Sequence, residues 1–168
     1  GDNKLVEGEK WAVEHTSPNP NKAMHIGHLR NNLVGMSLSN LFESCGATVT
    51  KEAIMNDRGI AIAKLMYGYL YGMLIENSEA AKVAADGSAQ ELIHFWTTNN
   101  QLWHTPESKQ TAADLFTTQC YIRGEELMAD HEAEIRQLVV DWENGDEENR
   151  QLWKHVLNYS YQGMYKTL

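Results

Sequence analysis

The residues with the clearest chemical potential are His25 and His28, two histidines three positions apart. Side chains three apart share a face of an α-helix, so both imidazoles would point the same way from a first helical turn. That turn carries unpaired backbone N–H groups and the positive end of the helix dipole, which favour anions. Neutral imidazoles add further donors. The pair therefore predicts a phosphate site suited to nucleotidyl transfer, where fixed donors stabilise charge developing on an attacked α-phosphate.

Other interpretations of the histidine pair stay open at this point. The spacing is compatible with metal ligands, but the sequence offers no obvious third or fourth ligand nearby. It is also compatible with exposed histidines at the start of an ordinary helix. Gly27, which has no side chain, would let a flat ring approach the backbone between the two imidazoles. No metal bound by the protein itself is predicted.

A strand, a loop and a helix are needed to position the histidines, and the flanking sequence predicts all three. Apolar and β-branched residues at 11–17 indicate a short buried strand that ends before Pro18. Two prolines in SPNPN exclude a helix in the loop that follows. Apolar residues at helical spacing predict a helix over 25–45, with Gly46 at the position after its end.

A second strand and a second helix follow. Residues 47–55 are β-branched and short, 56–59 form a turn, and 60–75 repeat apolar residues at helical spacing. A strand–helix–strand order almost always gives parallel neighbours. Ligands of such sheets gather at the carboxyl ends of the strands, so the loops 18–24 and 56–59 are predicted to lie side by side at one edge.

The second half of the sequence is predicted to be mostly helical. Residues 76–88 are small and polar and predict a mobile connection. Ser88, followed by Glu91, is typical of a capping box that opens a helix reaching to about residue 103. The tryptophans at positions 96, 103, 142 and 153 are expected to pack between helices.

Two further helices are predicted after residue 103. Thr105 as N-cap, with Pro106 in the first turn, predicts the start of a long helix that reaches about residue 142. The segment ENGDEE interrupts that pattern. Asp146 then predicts the cap of a last helix that extends to Leu168.

The composition indicates which class of protein this is and which partners it is suited to bind. The chain has 168 residues, 42% of them hydrophobic, and no uncharged apolar run long enough to span a bilayer. Basic and acidic side chains balance over residues 1–75, so the net charge of −9 arises after them. An acidic half is a poor surface for nucleic acid, because affinity for phosphates rests on Lys and Arg. Cys45 and Cys120 are far apart and fit a reducing compartment better than a disulfide framework.

The stretch EHTSPNPNKAMHIGHLRNN resembles the signature of class I aminoacyl-tRNA synthetases, specifically that of the arginyl-tRNA synthetases. In that family a Glu, a Ser-Pro-Asn triplet and a Lys precede HxGH, a hydrophobic residue and an Arg at this spacing. NDRGIAIAKLM resembles the family's segment after the second strand. Residues 142–168 resemble the helical segment that leads to the second half of the catalytic domain. Little resemblance is recognised between residues 75 and 141.

The resemblance implies an α/β fold. Its first part is half of a Rossmann-like nucleotide-binding fold, a parallel strand–helix–strand, followed by a mostly helical segment. Residues 1–75 would form the Rossmann-like half with the HIGH motif, 76–141 a helical insertion-like segment, and 142–168 a helix leading towards a second Rossmann half. No KMSKS-like loop is present in these residues. The chain is therefore expected to be a truncated N-terminal part of the catalytic domain.

The resemblance also implies an activity for the parent protein. The parent would be a cytoplasmic, monomeric ligase that uses ATP with Mg²⁺ to convert L-arginine to arginyl-adenylate. It would then transfer the arginyl group to tRNA(Arg), without any role for a membrane. In this family the tRNA is generally needed for the first step as well. The isolated fragment is expected to be inactive.

Site roles carry over from the family to matching positions. By resemblance, His25 and His28 would stabilise the ATP phosphates as catalytic residues. Gly27 would let adenine stack on the backbone. Lys22, just before the histidines, would help to neutralise phosphate, as a compact cation on a long stem can do.

The amino-acid part of the site comes from the positions that precede the histidines. By resemblance, Glu14 and Asn19 would hold the polar α-groups of the amino acid, and Ser17 would line the same pocket. A carboxylate at a strand end facing the cleft is able to meet an ammonium group. Asp57, on the adjacent loop, either touches the substrate or only caps the following helix.

Two alternatives from other classes remain. Another HxGH nucleotidylyltransferase, or another class I synthetase, would use the same phosphate chemistry, and a substrate panel with pyrophosphate detection would separate them. The Glu, Ser-Pro-Asn and Lys prefix argues against an enzyme that acts without tRNA. The second alternative is a non-catalytic helical interaction module with a vestigial site, against which the intact Lys22, His25 and His28 argue.

Overall fold

The structure, a computed structural model, describes residues 3–167 of the chain. The chain divides into two compact units, one of Gly1–Asn19 with Met24–Asn56 and one of Pro20–Ala23 with Asp57–Leu168. The three segments predicted at 1–75, 76–141 and 142–168 remain a prediction.

The first unit is a strand–helix–strand, as the sequence predicts. It consists of β1 (Lys10–Glu14), α1 (Ile26–Ser44) and β2 (Thr48–Glu52). The two strands are parallel and in register from Lys10 opposite Thr48 to Glu14 opposite Glu52. Their carboxyl ends therefore stop level with each other. This arrangement is the first half of a Rossmann-like fold.

Local signals at the end of α1 act as predicted. Gly46 has φ +96°, a left-handed conformation that glycine adopts without strain, and it directly follows the C-cap residue Cys45. The Cys45 N–H donates to the carbonyl oxygen of Leu41 at 3.1 Å. The ring of Trp11 on β1 stacks on Phe42 with centroids 4.4 Å apart, which fixes the strand against the last turns of the helix.

The prediction that the first strand is buried is wrong. Trp11 is 38% exposed, and the other residues of β1 are exposed or half-buried. Within α1, all of which the structure describes, only Gly35 and Ser39 are buried. Parallel sheets normally have both faces covered by other layers of structure. This sheet has two strands, and the helix beside it is largely exposed. The apolar residues of α1 are consequently exposed: Ile26, Leu29, Leu33, Val34, Met36, Leu38 and Leu41.

The second unit is helical. Its elements are α2 (Ile60–Gly72), α3 (Glu79–Asp86), α4 (Ala89–Asn99), a 3₁₀ turn (Asn100–Leu102), α5 (Ala113–Asn144) and α6 (Glu147–Thr167). The second helix is the centre of the core, because eight of its thirteen residues are buried. Trp96 and Trp103 are buried as predicted, while Trp142 and Trp153 are half-buried and pack edge to face with centroids 5.3 Å apart.

Two glycines let α2 and α5 cross with their backbones in contact. A Cβ on Gly68 would lie 1.8 Å from the carbonyl oxygen of Cys120, and one on Gly124 would lie 1.9 Å from that of Lys64. Any side chain at either position would push the helices apart. The central helix pair of this unit therefore depends on both glycines.

Two predictions about the helical half are corrected by the structure. Residues 76–88 contain α3 rather than only a mobile connection, and the hydroxyl of Ser78 caps this helix by accepting from the Ala81 N–H at 3.3 Å. Thr105 does not open the long helix. Its hydroxyl accepts from the Ser108 N–H at 3.2 Å within a turn, and α5 begins at Ala113.

Two other cap predictions are confirmed. Ser88 and Glu91 form the capping box of α4, which ends at Asn99 and continues as a 3₁₀ turn to Leu102. Asp146 caps α6 by accepting from the Asn149 N–H at 2.7 Å. Both caps act within one helical turn, so their residues can be recognised from spacing alone.

Both cysteines are free thiols, as predicted from their spacing. Burial raises the pKa of the Cys120 thiol to about 12, so this side chain stays protonated at neutral pH. No helix within residues 3–167 is both long and apolar enough to cross a membrane.

An imidazole lies in the aromatic core of the second unit. His155 Nε2 is 3.2 Å from the hydroxyl oxygen of Tyr69, and its ring contacts Trp96 edge to face at 5.1 Å and Tyr159 at 4.9 Å. Burial lowers the pKa of His155 because the charged imidazolium is poorly solvated there. The folded chain therefore binds this proton less readily than the unfolded chain does.

Leucines in the two units should respond differently to truncation. Leu65→Ala, at a fully buried position, should cost roughly 2–5 kcal/mol of unfolding free energy because it leaves a cavity. Leu33→Ala, at a position that is 58% exposed, should change it by less than about 0.5 kcal/mol. Denaturant unfolding followed by circular dichroism measures both. Equal losses would contradict the exposure assigned to α1.

Acidification should weaken the second unit through His155. Above the ordinary imidazole pKa of about 6.5 both states are neutral, and below it the unfolded chain takes up the proton first. Stability is therefore lost as the pH falls from about 7.5 to about 5.5. His155→Gln, which keeps a hydrogen-bonding side chain near Tyr69 but does not titrate, should lose less stability over that range. The comparison is made by denaturant unfolding at both pH values, and parallel pH profiles would contradict it.

Candidate functional site

A cavity of about 420 Å³ opens in the first unit, at the carboxyl end of β1 and beside the first half of α1. Three of the residues predicted to form the site, Glu14, Ser17 and His28, line it. The remaining lining residues are Val13, His15, Thr16, Pro18, Met24, Asn31, Val34, Gly35 and Leu38. Both the strand end with its loop and the helix thus contribute polar as well as apolar side chains to the cavity wall.

The chain turns sharply where β1 ends. His15 continues the sheet by donating its N–H to the carbonyl oxygen of Glu52 at 3.0 Å. The next residue, Thr16, has φ +59°, a left-handed conformation that is uncommon for a residue with a branched side chain. The Thr16 hydroxyl lies 2.6 Å from His15 Nδ1. This turn directs the following Ser-Pro segment along the wall of the cavity.

Ser17 ties the loop after β1 to the segment after β2. Its hydroxyl oxygen accepts from the Ile54 N–H at 2.9 Å, and its carbonyl oxygen accepts from the Asn56 side-chain amide at 3.1 Å. Within this unit, the loops that follow the two parallel strands are therefore adjacent, as the topology predicts. The serine hydroxyl has a structural partner as well as a place in the cavity wall.

The two histidines cap the helix reciprocally. His25 is the N-cap residue, and its Nδ1 accepts from the Gly27 N–H at 3.1 Å. His28 is the third residue of the helix, and its Nδ1 accepts from the His25 N–H at 3.1 Å. The rings are stacked with centroids 4.0 Å apart and planes inclined by 29°. The two imidazoles lie on the same side of the helix start, as predicted, and together they form a capping box.

This cap changes which donors the helix terminus offers. From the sequence, the unpaired N–H groups of the first turn were expected to face an anion directly. The Gly27 N–H is instead paired with an imidazole, and the His28 N–H donates to the His25 carbonyl oxygen at 2.9 Å. An anion that approaches this terminus would therefore meet imidazole nitrogens as well as backbone.

Two glycines of α1 leave the space that neighbouring histidine side chains occupy. A Cβ on Gly27 would lie 2.9 Å from Cε1 and 3.0 Å from Nδ1 of His25, so a side chain there would displace the capping ring. A Cβ on Gly35 would lie 2.3 Å from Cβ of His15, which is at the turn of the loop. The first glycine fits a motif visible in the sequence. The second has no local signal, because its neighbour is twenty residues earlier in the chain.

Comparison with known proteins decides the family. The family model for tRNA synthetases class I (R), catalytic domain, matches residues 1–168. The chain belongs to this family. Arginine–tRNA ligases of Borrelia hermsii and Treponema denticola are 33% and 31% identical to it, over 167 and 174 residues. Each match covers 99% of this chain and 24% of the relative, so the chain spans about a quarter of the length of these enzymes.

Membership of the family confirms the resemblance recognised in the sequence. The HxGH residues lie at the start of α1, immediately after a loop that leaves a parallel strand. That placement agrees with a catalytic domain of the class I synthetase type. The share of the relatives that is covered also agrees with a chain that corresponds to an N-terminal part of such a domain.

Other predicted site residues are not among those that line the cavity. Asn19, in the first unit, is exposed and is not among the described residues that line the cavity. Lys22 is exposed and belongs to the second unit, within Pro20–Ala23. The same short segment is held by a hydrogen bond from the Ala23 N–H to the Thr118 hydroxyl at 2.8 Å.

Asp57 also belongs to the second unit, and one of its two predicted roles is wrong. The N-cap of α2 is Gly59, at which no side-chain hydrogen bond caps the helix among the described residues. The Asp57 carbonyl oxygen accepts from the Trp153 indole N–H at 2.6 Å. Its carboxylate faces Tyr161, whose pKa is raised by burial and then by this negative charge. Its other predicted role, contact with the substrate, stays a prediction.

Several residues of the cavity were not singled out from the sequence. They are His15, Thr16, Asn31 and Gly35. The positive φ of Thr16 and the contact between Gly35 and His15 arise from tertiary packing, so residue spacing alone does not reveal them. Within residues 3–167, no group of three or more His, Cys, Asp or Glu side chains is arranged to hold a metal ion.

Gly35→Ala should disturb the loop that forms the cavity wall. The added methyl group would collide with His15, and overpacking of this kind costs roughly 1–3 kcal/mol. Ser37→Ala, at an exposed position of the same helix, is the matched control and should leave stability nearly unchanged. Thermal unfolding and the amide resonances of residues 14–17 measure the effect. Unchanged resonances in Gly35→Ala would contradict this packing.

Proposed function

We propose that this chain is the part of an arginine–tRNA ligase that holds the phosphates of ATP and the polar end of the amino acid. The observation that carries the proposal is the cavity at the carboxyl end of β1. Glu14, Ser17 and His28 all line this one concave surface. Sites at the carboxyl ends of parallel strands are where α/β folds bind ligands.

Arginine is proposed as the amino acid because the relatives are named as arginine–tRNA ligases. Their identity to this chain is about one residue in three over nearly its whole length. The complete reaction, its substrates and its tRNA are proposed for the full-length parent, since the chain spans 24% of such a relative.

In the first proposed step, a carboxylate oxygen of arginine attacks the α-phosphorus of ATP. The bond from that phosphorus to the β-phosphate bridging oxygen breaks, and pyrophosphate leaves with arginyl-adenylate as the other product. Negative charge grows on the phosphate oxygens during the attack. Hydrogen-bond donors fixed beforehand stabilise that charge, and His25 and His28 are held by a cap before any ligand arrives.

Glu14 is proposed to bind the α-ammonium group of the amino acid. It lies at the last residue pair of the sheet, directly opposite Glu52. Like charges on neighbouring strands repel each other, and a bound cation would relieve that repulsion. Ser17 would line the same pocket, and Asn19 and Asp57 are proposed to complete the contacts with the amino acid.

Lys22 is proposed to neutralise phosphate charge together with the Mg²⁺ that accompanies ATP as part of the substrate. Gly27 would allow adenine to approach the backbone of α1. The arginyl group would then move to a terminal ribose hydroxyl of tRNA(Arg). Because the acidic residues are concentrated after residue 75, most of the tRNA-binding surface is proposed to lie elsewhere in a cytoplasmic parent enzyme.

The test of the proposal is pyrophosphate exchange by the full-length parent with arginine and tRNA(Arg). His28→Ala should lower kcat about a hundred- to a thousandfold, because one fixed donor to the developing charge is removed. His94→Ala is the matched control. This histidine is exposed on α4 and pairs with Glu148, so exchange should stay near the parent level.

Three results would contradict the proposal. Exchange that survives His28→Ala unchanged would remove the phosphate role. Exchange supported by a different amino acid, or without any tRNA or amino acid, would favour another class I synthetase or a smaller nucleotidylyltransferase. The isolated chain should show no measurable arginylation, and robust arginylation by these residues alone would overturn the assignment to a partial site.

A further inference from the structure

Thr16, which lines the cavity, has a backbone conformation that is unusual for its side chain. Its φ of +59° is left-handed, and glycine or asparagine adopts such a conformation more readily than a β-branched residue does. Residues in sparsely populated conformations are concentrated at functional sites. A glycine would make this turn with less strain, but it would bring no hydroxyl group to the cavity wall.

The Thr16 hydroxyl contacts the imidazole of the preceding residue. Its oxygen lies 2.6 Å from His15 Nδ1. A hydroxyl has one proton and two lone pairs, so it is able either to donate to this nitrogen or to accept from it. A hydroxyl that donates to the ring has no proton left for a ligand. A hydroxyl that accepts from the ring keeps its proton for another acceptor.

The second nitrogen of the His15 ring favours the case in which the hydroxyl accepts. Nε2 is buried and has no hydrogen-bond partner among residues 3–167. If Nδ1 accepted, a neutral ring would carry its proton on Nε2, and a buried N–H would lack an acceptor. Buried N–H groups without a partner are rarer than buried acceptors without one. The ring proton therefore lies on Nδ1 and is donated to the Thr16 oxygen.

The ring is held in place before any ligand arrives. The His15 N–H donates to the carbonyl oxygen of Glu52 at 3.0 Å, which continues the sheet by one residue. Gly35 on α1 leaves the space that the ring occupies, because a Cβ there would lie 2.8 Å from Cγ and 3.3 Å from Cδ2 of His15. The hydroxyl is thus oriented by a rigid neighbour, which lowers the cost of ordering it on binding.

We propose that the Thr16 hydroxyl donates a hydrogen bond to the α-carboxylate of the amino acid, and that His15 is the positioning residue that orients it. This inference rests on the proposed function, which places the α-ammonium group beside Glu14. Glu14 and Thr16 are two residues apart, a span of at most about 7 Å. The two charged groups of one amino acid are therefore able to meet both side chains.

The charges at this edge of the sheet explain why a donor is needed there. Glu14 and Glu52 end the two strands directly opposite each other, and both repel an approaching carboxylate. A hydroxyl that donates to a carboxylate forms a charge-assisted hydrogen bond without adding a charge of its own. One carboxylate oxygen is then held by Thr16, and the other is free to attack the α-phosphorus of ATP.

Pyrophosphate exchange by the full-length parent, with arginine and ATP varied separately, tests the role of the hydroxyl. Thr16→Val keeps the branched side chain and its backbone strain and removes only the hydroxyl. The KM for arginine should rise about tenfold, the usual effect of losing a hydrogen bond to a charged group, while the KM for ATP stays unchanged. Thr16→Ser, which restores a hydroxyl, should recover most of the affinity. Ser37→Ala, at an exposed position of α1, is the control.

A merely structural role for Thr16 would give a different result. Damage to the loop would raise the KM for both substrates or lower kcat for both. A rise in the KM for ATP as large as that for arginine overturns the contact with the carboxylate. Failure of Thr16→Ser to recover the affinity for arginine overturns it as well.

A double-variant cycle tests the positioning role of His15. His15→Phe keeps a ring against Gly35 but has no donor for the hydroxyl. The KM for arginine should rise about threefold, less than in Thr16→Val, because the hydroxyl remains but is no longer oriented. The double variant should be no worse than Thr16→Val alone, since the ring acts only through the hydroxyl. Factors that multiply in the double variant overturn this role.

The position of the ring proton is measured without reference to any function. Two-bond ¹H–¹⁵N correlation of the uniformly labelled, ligand-free chain is recorded at about pH 8, above the ordinary imidazole pKa. The signals that disappear in His15→Phe assign the ring among the seven histidines. The expected result is a protonated Nδ1 and an unprotonated Nε2. A protonated Nε2 overturns the orientation of the hydroxyl.

Failure of this inference is distinguishable from failure of the proposed function. An unchanged KM for arginine in Thr16→Val, in a parent whose exchange is lowered by His28→Ala, overturns the role of the hydroxyl alone. Exchange that survives His28→Ala but still shows the expected rise in the KM for arginine in Thr16→Val overturns only the phosphate role. Exchange that requires no arginine overturns both.

Discussion

The unpaired N–H groups at the start of α1 are the constraint on which the site depends. A helix cannot satisfy these groups internally, so they must bind side chains, water or a ligand. In this chain the Gly27 N–H donates to the His25 side chain, and the His25 N–H donates to the His28 side chain. The same side chains that would serve chemistry thus stabilise the helix on which they are carried. Position 27 must then be free of a side chain, and the strand and loop before it determine where the terminus lies.

That terminus lies beside the cavity at the carboxyl end of β1. The strands end together at Glu14 and Glu52, and Ser17 joins the loops beyond them through two hydrogen bonds. The loop turns at a left-handed Thr16, and α1 approaches it closely at Gly35. The loop that lines the cavity is therefore held by the segment after β2 and by α1. The first unit holds a defined loop even though most of its apolar helix surface is exposed.

The two units are stabilised differently. The second unit buries a continuous aromatic and aliphatic core around α2, where Gly68 and Gly124 allow two helices to touch. The first unit has a parallel sheet of two strands and a helix that buries only small residues. Exposed apolar surface of this extent is typical of a face that other protein layers cover. This contrast agrees with a chain that spans a quarter of the length of its relatives.

The sequence by itself determined the features that depend on neighbours within a few residues. These include the order of strand, helix and strand, the glycine after α1, the capping box at Ser88 and the cap at Asp146. The HxGH motif, in register with its Glu, Ser-Pro-Asn and Lys prefix, was sufficient to recognise the family. Each of these signals works through a hydrogen bond or a backbone preference that is local, so spacing carries it.

Only the tertiary structure decided how those parts are used. It decided that β1 is exposed rather than buried, because burial depends on layers that no local pattern encodes. It showed Thr105 in an isolated turn, and it revealed the contact between Gly35 and His15 across twenty residues. It also turned the two histidines from free donors at a helix end into the cap of that helix. The direction in which an imidazole faces depends on three-dimensional geometry, and residue spacing does not contain it.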